Sequence, residues 1–172
     1  EPERGKILAD DRTVLAASVN FYMPRLDLRS EGIKEDTLMR YLGPLSDSLA
    51  VISPYKTAKE WKEQIADTYQ NRYTKRGARS FPIGNKLTYS QLQRMRKFPF
   101  ICLGTSKSGF YYEEQPRRCN PYGRMAARSI GKVAYDPVKQ RMAGRSGLER
   151  ALDDMLYGEP GEARSTQYAN AI

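Results

Sequence analysis

Three short segments of this sequence contain the residue types that serine acyltransferases use. Ser53 and Lys56 lie in "SPYK", with the spacing S-x-x-K, and Ser18 and Asn20 lie in "SVN". A third segment, "KSG" (107–109), places a lysine beside a serine and a glycine. With Ser53 at the N-terminus of a helix, Lys56 could accept its proton and make the hydroxyl a nucleophile. A minimal serine acylase using Ser53 and Lys56 is therefore one hypothesis for the chain.

The order and the setting of these segments disfavour acylation. In penicillin-recognising serine enzymes the order is S-x-x-K, S-x-N and K-[ST]-G, whereas here S-x-N comes first. Ser53 also precedes a proline, which biases its backbone towards an extended conformation. Each triplet is common by chance. We therefore expect no catalytic residue in this chain.

The composition excludes other chemistries. The sequence has no histidine, which rules out Ser-His-Asp and Cys-His catalysis and histidine-ligated zinc. Two cysteines cannot form a four-thiolate site. Cys102, in the apolar run "FPFICLG", is predicted to be a small core residue, and its pairing with Cys119 stays open. We expect no cofactor and no metal.

The net charge suggests an anionic neighbour. The chain has 29 Lys and Arg against 20 Asp and Glu, a net charge of +9, and the basic residues cluster at 71–80, 93–97 and 115–120. A basic nucleic-acid-binding module is a second hypothesis. The clusters match no known nucleic-acid-binding pattern, so a solvated basic face is the favoured interpretation. No run of about 18 apolar residues is present to span a bilayer.

The first half of the sequence predicts two strands and then helices. The segment 4–30 alternates as two strands joined by a turn at 10–12, the second interrupted by Pro24. Leucine spacing predicts a helix over 36–49, kinked or divided at Gly43-Pro44. The capping box from Thr57 to Glu60 begins another helix. Trp61, Ile65 and Tyr69 form its apolar stripe, and packing of this stripe against the domain is the favoured interpretation.

The second half predicts a mixture of short elements. We expect a strand near 81–83, a helix after the capping box at Thr88, and a hairpin of 98–103 with 110–114. A helix over 122–130 and one short helix within 144–161 follow. Helices and strands do not alternate strictly, which favours an α+β fold.

The segment "GRSGLERALDDMLYGEPG" (144–161) carries the most specific pattern. Glu149 and Asp153 lie at i and i+4 on one helix, where like charges repel, so they need basic partners or open water. The segment resembles a signature of the N-terminal non-catalytic module, called the dimerisation or pedestal domain, of class B penicillin-binding proteins. Two further segments are similar to that family in the same order. The matching residues are Gly144, Gly147, Leu148, Glu149, Asp153, Leu156 and Gly158; Arg4, Gly5, Ile7, Leu15, Ala16 and Ser18; and Arg118, Pro121, Gly123 and Ala126.

The resemblance gives these residues a structural role. Arg4 and Arg118 are the expected partners of Glu149 and Asp153, and we expect Glu149 to pair with Arg4. A base of residues 1–27 and 115–172 is predicted, with an α/β head lobe, residues 28–114, inserted between its two parts.

The resemblance also implies a parent protein larger than this chain. Such a parent is anchored to the inner membrane by an N-terminal helix absent here, and its C-terminal D,D-transpeptidase domain cross-links peptidoglycan in the periplasm. The module would position that domain and contact other cell-wall synthesis proteins of the division or elongation machinery. A homodimer is left open, and no nucleic acid is expected. The candidate partner surface comprises Trp61, Lys75, Arg76 and Arg79.

Overall fold

The computed structural model describes residues 3–158 of the chain. It divides into two compact units, which we call the terminal unit (Glu1–Val19 with Pro116–Ile172) and the central unit (Asn20–Gln115). Each unit contains both helices and strands, and this confirms the predicted α+β class. No helix in the described part of the chain combines the length and apolar character needed to cross a bilayer.

The terminal unit contains two short antiparallel pairings. β1 (Ile7–Leu8) pairs with the beginning of β2 (Val14–Leu26) through the predicted turn, and Ile7 lies opposite Ala16. β5 (Val133–Asp136) and β6 (Arg141–Gly144) form a hairpin. A small apolar core of Ile7, Ala16, Ile130 and Leu156 holds this unit together.

Two predicted helices of the terminal unit are shorter than expected. Only Ala127–Ile130 of the segment 122–130 is helical, as α5, because Gly123 and Ala126 have positive φ angles of 58° and 53°. The final helix is divided into α6 (Gly147–Ala151) and α7 (Asp153–Tyr157) at Leu152, whose φ of −111° and ψ of 22° interrupt the helical backbone.

Two long helices lie in the central unit. α1 (Glu35–Ile52) is one helix that runs through Pro44, so its division into two helices is wrong. Its leucines Leu38, Leu42, Leu45 and Leu49 are buried. Their packing keeps the helix intact at Pro44, which has no N–H to donate the usual backbone hydrogen bond. α2 (Ala58–Gln70) begins with the predicted capping box at Thr57.

The central unit ends with short elements and one long strand. These are β3 (Phe81–Pro82), α3 (Tyr89–Met95), a 3₁₀ turn (Ile101–Leu103), α4 (Thr105–Ser108) and β4 (Phe110–Cys119). β3 pairs with the end of β2, and β4 also pairs with β2. β2 continues through Pro24, contrary to prediction, because the Pro24 carbonyl accepts a hydrogen bond from Ile83 and proline lacks only the donor.

The predicted hairpin of 98–103 with 110–114 is wrong. The apolar run turns locally instead, since the Cys102 N–H donates to the Phe98 carbonyl and the Gly104 N–H to that of Ile101. The 3₁₀ turn leaves Cys102 exposed rather than in the core, and both cysteines are free thiols. An apolar run of this length fits a buried turn as well as a strand.

The central core contains Trp61, Ile65 and Tyr69 from one face of α2. The side chain of Trp61 is only 1% exposed, so its assignment to a partner surface is wrong. The i, i+4 spacing that makes an aromatic residue conspicuous in the sequence is also the spacing that packs it into a core.

Candidate functional site

The signature residues converge in the terminal unit on a buried cluster of charges. Arg4 precedes β1, Arg118 lies near the end of β4, Glu149 lies on α6, and Asp153 begins α7. We call these four side chains, with Lys139 and Arg141, the charge cluster. Glu149 is 1% exposed and Asp153 7%, so both carboxylates need partners within the protein.

Arg4 binds both carboxylates with its guanidinium group. Its Nε donates to Glu149 Oε2 at 2.7 Å, and its Nη1 donates to Asp153 Oδ1 at 2.8 Å. Its Nη2 donates to the main-chain carbonyl of Glu149 at 2.9 Å. The pairing of Arg4 with Glu149 expected from the sequence is therefore present. One planar group thus bridges the two i, i+4 carboxylates, which would otherwise repel each other.

Arg118 binds the other oxygen of the Glu149 carboxylate. Its Nε donates to Oε1 at 2.7 Å, while its Nη1 donates to the carbonyl of Gly5 at 2.7 Å. The hydroxyl of Ser18 donates to the carbonyl of Arg4 at 3.3 Å. Glu149 is thus held between two arginines, and the backbone beside Arg4 is held by Arg118 and Ser18.

Asp153 accepts from four donors. Besides Arg4, the Gly144 N–H donates to Oδ1 at 2.8 Å, and Lys139 Nζ and Arg141 Nη2 donate to Oδ2 at 2.9 Å and 3.2 Å. Burial by itself raises the pKa of the Asp153 carboxyl, but the hydrogen bonds from Gly144, Lys139 and Arg4 outweigh it. The pKa of Asp153 is therefore held well below its usual range.

Glycines bring the backbones of this site together. A Cβ on Gly144 would meet the Glu149 carbonyl oxygen at 1.9 Å, and one on Gly147 would meet the Ser129 carbonyl oxygen at 2.4 Å. Gly147 also has a φ of 60°. The N–H of Gly5 donates to the carbonyl of Leu156 at 2.7 Å. The segment before β1 is thereby fastened to α7 by its backbone as well as by Arg4.

The remaining signature residues lie around the cluster rather than in it. Ile7 is in the small apolar core, and Pro121 and Gly123 lie in the exposed turn before α5. Gly158 ends α7 with a φ of 72°. These residues shape the turns and the packing of the unit and contribute no charged group.

Lys139 and Arg141 complete the charge cluster and were not predicted from the sequence. Lys139 lies in the turn of the β5–β6 hairpin and Arg141 begins β6 directly after it, with its guanidinium 3.6 Å from the centroid of the Tyr157 ring. Their local pattern is that of an ordinary exposed basic turn. The sequence offered one indication of them. Two buried carboxylates need more positive charge than one arginine supplies, so Asp153 required further cations.

The charge cluster is a structural salt-bridge network. All four carboxylate oxygens of Glu149 and Asp153 accept from cationic side chains, so neither group is free to act as a base. Among residues 3–158, no three carboxylate or thiol groups come together as a metal site would require.

Ser53 does not lie in the environment of a nucleophilic serine. Ser53 follows the C-terminus of α1 rather than beginning a helix, and it is 1% exposed. Lys56 Nζ donates to Gln64 Oε1 at 2.8 Å and lies over the Trp61 ring at 4.4 Å. The serine thus lacks both access to substrate and the activation that acyl transfer requires.

The basic residues of the candidate partner surface lie on the central unit. Lys75, Arg76 and Arg79 are exposed in the segment between α2 and β3. Lys75 forms an ion pair with Asp67. Within the described residues, Arg76 and Arg79 have no carboxylate within ion-pair distance.

Comparison with known proteins identifies a family for the whole chain. Residues 1–171 match the model described as Penicillin-binding Protein dimerisation domain. No curated protein matches the chain.

Solved structures share the fold at low sequence identity. Penicillin Binding Protein 2X from Streptococcus thermophilus matches with a TM-score of 0.65 and 20% identity, over 90% of this chain and 22% of that one. The PBP2 of Helicobacter pylori, solved in complex with MreC, matches with a TM-score of 0.50 and 17% identity, over 92% of this chain and 28% of that one. The chain therefore spans about a quarter of the length of these proteins.

Proposed function

We propose, since the chain belongs to the family of penicillin-binding protein dimerisation domains, that it is the non-catalytic pedestal of a larger penicillin-binding protein. The parent would carry a C-terminal D,D-transpeptidase domain that cross-links peptidoglycan. This chain would hold and orient that domain. In this proposal residues 1–27 and 115–172 form the base, and residues 28–114 form the inserted head lobe.

The charge cluster is the observation that carries the proposal. Arg4 lies near the beginning of the chain, and Glu149 and Asp153 lie near its end, yet they meet at 2.7 Å and 2.8 Å in a buried site. In the parent, an anchor helix would precede Arg4 and an enzyme domain would follow Asp153. Because Arg4 and Asp153 are bonded to each other, the anchor and the enzyme domain would be attached to segments of the base that are held together. A salt-bridge network of this kind suits a domain that orients another domain and performs no catalysis.

The proposed setting of the parent is the periplasm, with an N-terminal helix in the inner membrane. The pedestal would meet other cell-wall synthesis proteins there, as the PBP2 of Helicobacter pylori meets MreC. We place this contact on the basic segment of the central unit, which carries Lys75, Arg76 and Arg79. A homodimer of the parent is a second arrangement, for which we propose no surface.

The reading frame on both sides of this chain tests the proposed parent. We expect a hydrophobic helix upstream and the motifs S-x-x-K, S-x-N and K-[ST]-G, in that order, downstream. Fluorescent penicillin should label the parent outside residues 1–172 and leave the isolated chain unlabelled. A frame without downstream transpeptidase motifs would refute the pedestal role.

Charge reversal tests the partner surface in the intact parent. The combined substitutions Lys75→Glu, Arg76→Glu and Arg79→Glu should abolish recruitment of the parent to its cell-wall synthesis complex without changing its penicillin labelling. Unchanged recruitment would refute this placement of the surface.

A further inference from the structure

An open groove lies in the central unit between α2 and the segment that leads into β3. Its volume is about 390 Å³. The residues that line it include Gln64, Thr68, Lys75, Arg76, Phe81 and Pro82. Gln64 and Thr68 lie one turn apart on the same face of α2. The groove is therefore bounded by a helix on one side and by the basic segment on the other.

Contacts within the central unit hold the basic segment in place. The Arg29 guanidinium donates to the carbonyls of Arg72 and Tyr73. Arg72 in turn lies over the ring of Tyr69, 4.2 Å from its centroid, and Tyr69 is a core residue. The wall of the groove is thus positioned before any ligand arrives, which lowers the entropic cost of binding.

The polar groups of the groove are mainly donors. Gln64 Oε1 already accepts from Lys56, so its amide NH₂ is left to donate. Arg76 adds a guanidinium that has no carboxylate partner within residues 3–158. The one acidic neighbour of Lys75, Asp67, is engaged with the Lys75 ammonium. An occupant with carboxylate oxygens fits this arrangement.

The remaining wall is apolar, because Phe81 and Pro82 of β3 line it. We propose that this groove binds an acidic peptide segment of a partner protein, with a carboxylate at Arg76 and Gln64 and an apolar side chain against Phe81 and Pro82. The inference rests on the proposed partner role of the central unit and names the ligand chemistry of that surface.

A peptide fits the groove better than a nucleic acid or a membrane. A nucleic acid would need a track of cations along its phosphates and exposed rings for base stacking, and Lys75 and Arg76 are the only cations in the lining. A lipid surface would need apolar residues that protrude, whereas Phe81 is half-buried within a concave wall.

The test measures binding of a short fluorescent peptide of alternating glutamate and leucine to the intact 172-residue chain by anisotropy. We expect saturable binding that Arg76→Glu and Gln64→Glu each weaken at least about tenfold, as expected when a charge-assisted hydrogen bond is lost. Arg128→Glu is the matched control, since Arg128 is an exposed arginine of the terminal unit, and it should leave the affinity unchanged.

Three further outcomes would overturn the proposal. Equal binding of an alternating glutamine and leucine peptide would show that carboxylates are not recognised. Equal binding of a glutamate and serine peptide, displaced by inorganic phosphate, would indicate an anion site only. Binding to anionic vesicles that depends on Arg76 more strongly than peptide binding does would indicate a lipid.

The outcome also separates this inference from the proposed function. If the peptide fails to bind while charge reversal at positions 75, 76 and 79 still abolishes recruitment of the parent, the partner surface stands and the acidic-peptide ligand is wrong. If the peptide binds and recruitment is unchanged, the groove is real and its role in recruitment is wrong.

Discussion

A Cβ on Gly144 would lie 1.9 Å from the carbonyl oxygen of Glu149, so the end of β6 and helix α6 are in direct backbone contact. The N–H of the same glycine donates to Asp153 at 2.8 Å. Any side chain at position 144 must therefore push α6 away from β6 and disturb both carboxylates of the charge cluster.

Gly144→Ala should lower the free energy of unfolding by about 3 kcal/mol or more, because it combines overpacking with damage to a buried ion network. Chemical denaturation of the 172-residue chain measures this change. Gly43→Ala is the control, since a Cβ there would meet nothing within 4 Å apart from its chain neighbours. The usual gain of about 0.5–1 kcal/mol inside a helix is opposed by the Pro44 ring, which disfavours a Cβ on the preceding helical residue, so this change should alter the stability far less than Gly144→Ala does. A Gly144→Ala protein as stable as wild type would contradict the close backbone approach.

Glu149→Ala tests the energetic weight of the charge cluster. The substitution leaves the buried guanidinium of Arg4 without one of its carboxylates and removes the only carboxylate that binds Arg118 among the described residues. We expect a loss of about 3–5 kcal/mol, as for other buried pairs that lose one partner, seen as a lower melting temperature. Glu63→Ala removes an exposed i, i+4 pair with Lys59 and should cost at most about 0.5 kcal/mol. Equal effects of the two substitutions would refute the role of Glu149.

The sequence predicted the pairing of Arg4 with Glu149 but not the full environment of Asp153. Two buried like charges on one helix demand cations, and the family resemblance pointed to Arg4 and Arg118. Lys139 and Arg141 come from a hairpin turn whose position depends on tertiary packing, which no local pattern encodes.

Local patterns failed for a similar reason elsewhere. The i, i+4 spacing of Trp61, Ile65 and Tyr69 correctly predicted that this stripe packs against the domain, and only the placement of Trp61 on a partner surface was wrong. The segment around Cys102 is apolar enough for a strand, but local hydrogen bonds turn it into a 3₁₀ helix. Capping boxes at Thr57 and Thr88 were predicted correctly because every atom they require lies within four residues.

The low pKa of Asp153 predicts loss of stability in acid. The folded protein holds this carboxyl below its usual pKa, whereas the unfolded chain titrates near 3.9. The unfolded state therefore binds the proton more readily. The stabilisation is fully present above about pH 4 and is lost as the pH falls from there towards the lower folded pKa.

Asp153→Asn should remove this part of the pH dependence. Unfolding free energies measured from neutral pH down to about pH 3 should fall less steeply in the variant than in wild type, although the variant is less stable at neutral pH. Asp47→Asn is the matched control, since Asp47 is exposed on α1 and has no ion-pair partner among the described residues. Identical slopes for wild type and Asp153→Asn would contradict the assigned environment of Asp153.

Ser53→Ala distinguishes a buried structural serine from a nucleophile. The Ser53 hydroxyl is buried without a hydrogen-bond partner. Replacing the hydroxyl by hydrogen, as alanine does, should therefore leave the free energy of unfolding unchanged or raise it. Ser108→Ala is the contrasting change, because the Ser108 hydroxyl accepts from the buried N–H of Phe110 and donates to the carbonyl of Gly104. That variant should lose about 1–3 kcal/mol. Fluorescent penicillin should label neither wild type nor Ser53→Ala, and labelling of wild type that Ser53→Ala removes would restore the acylase hypothesis.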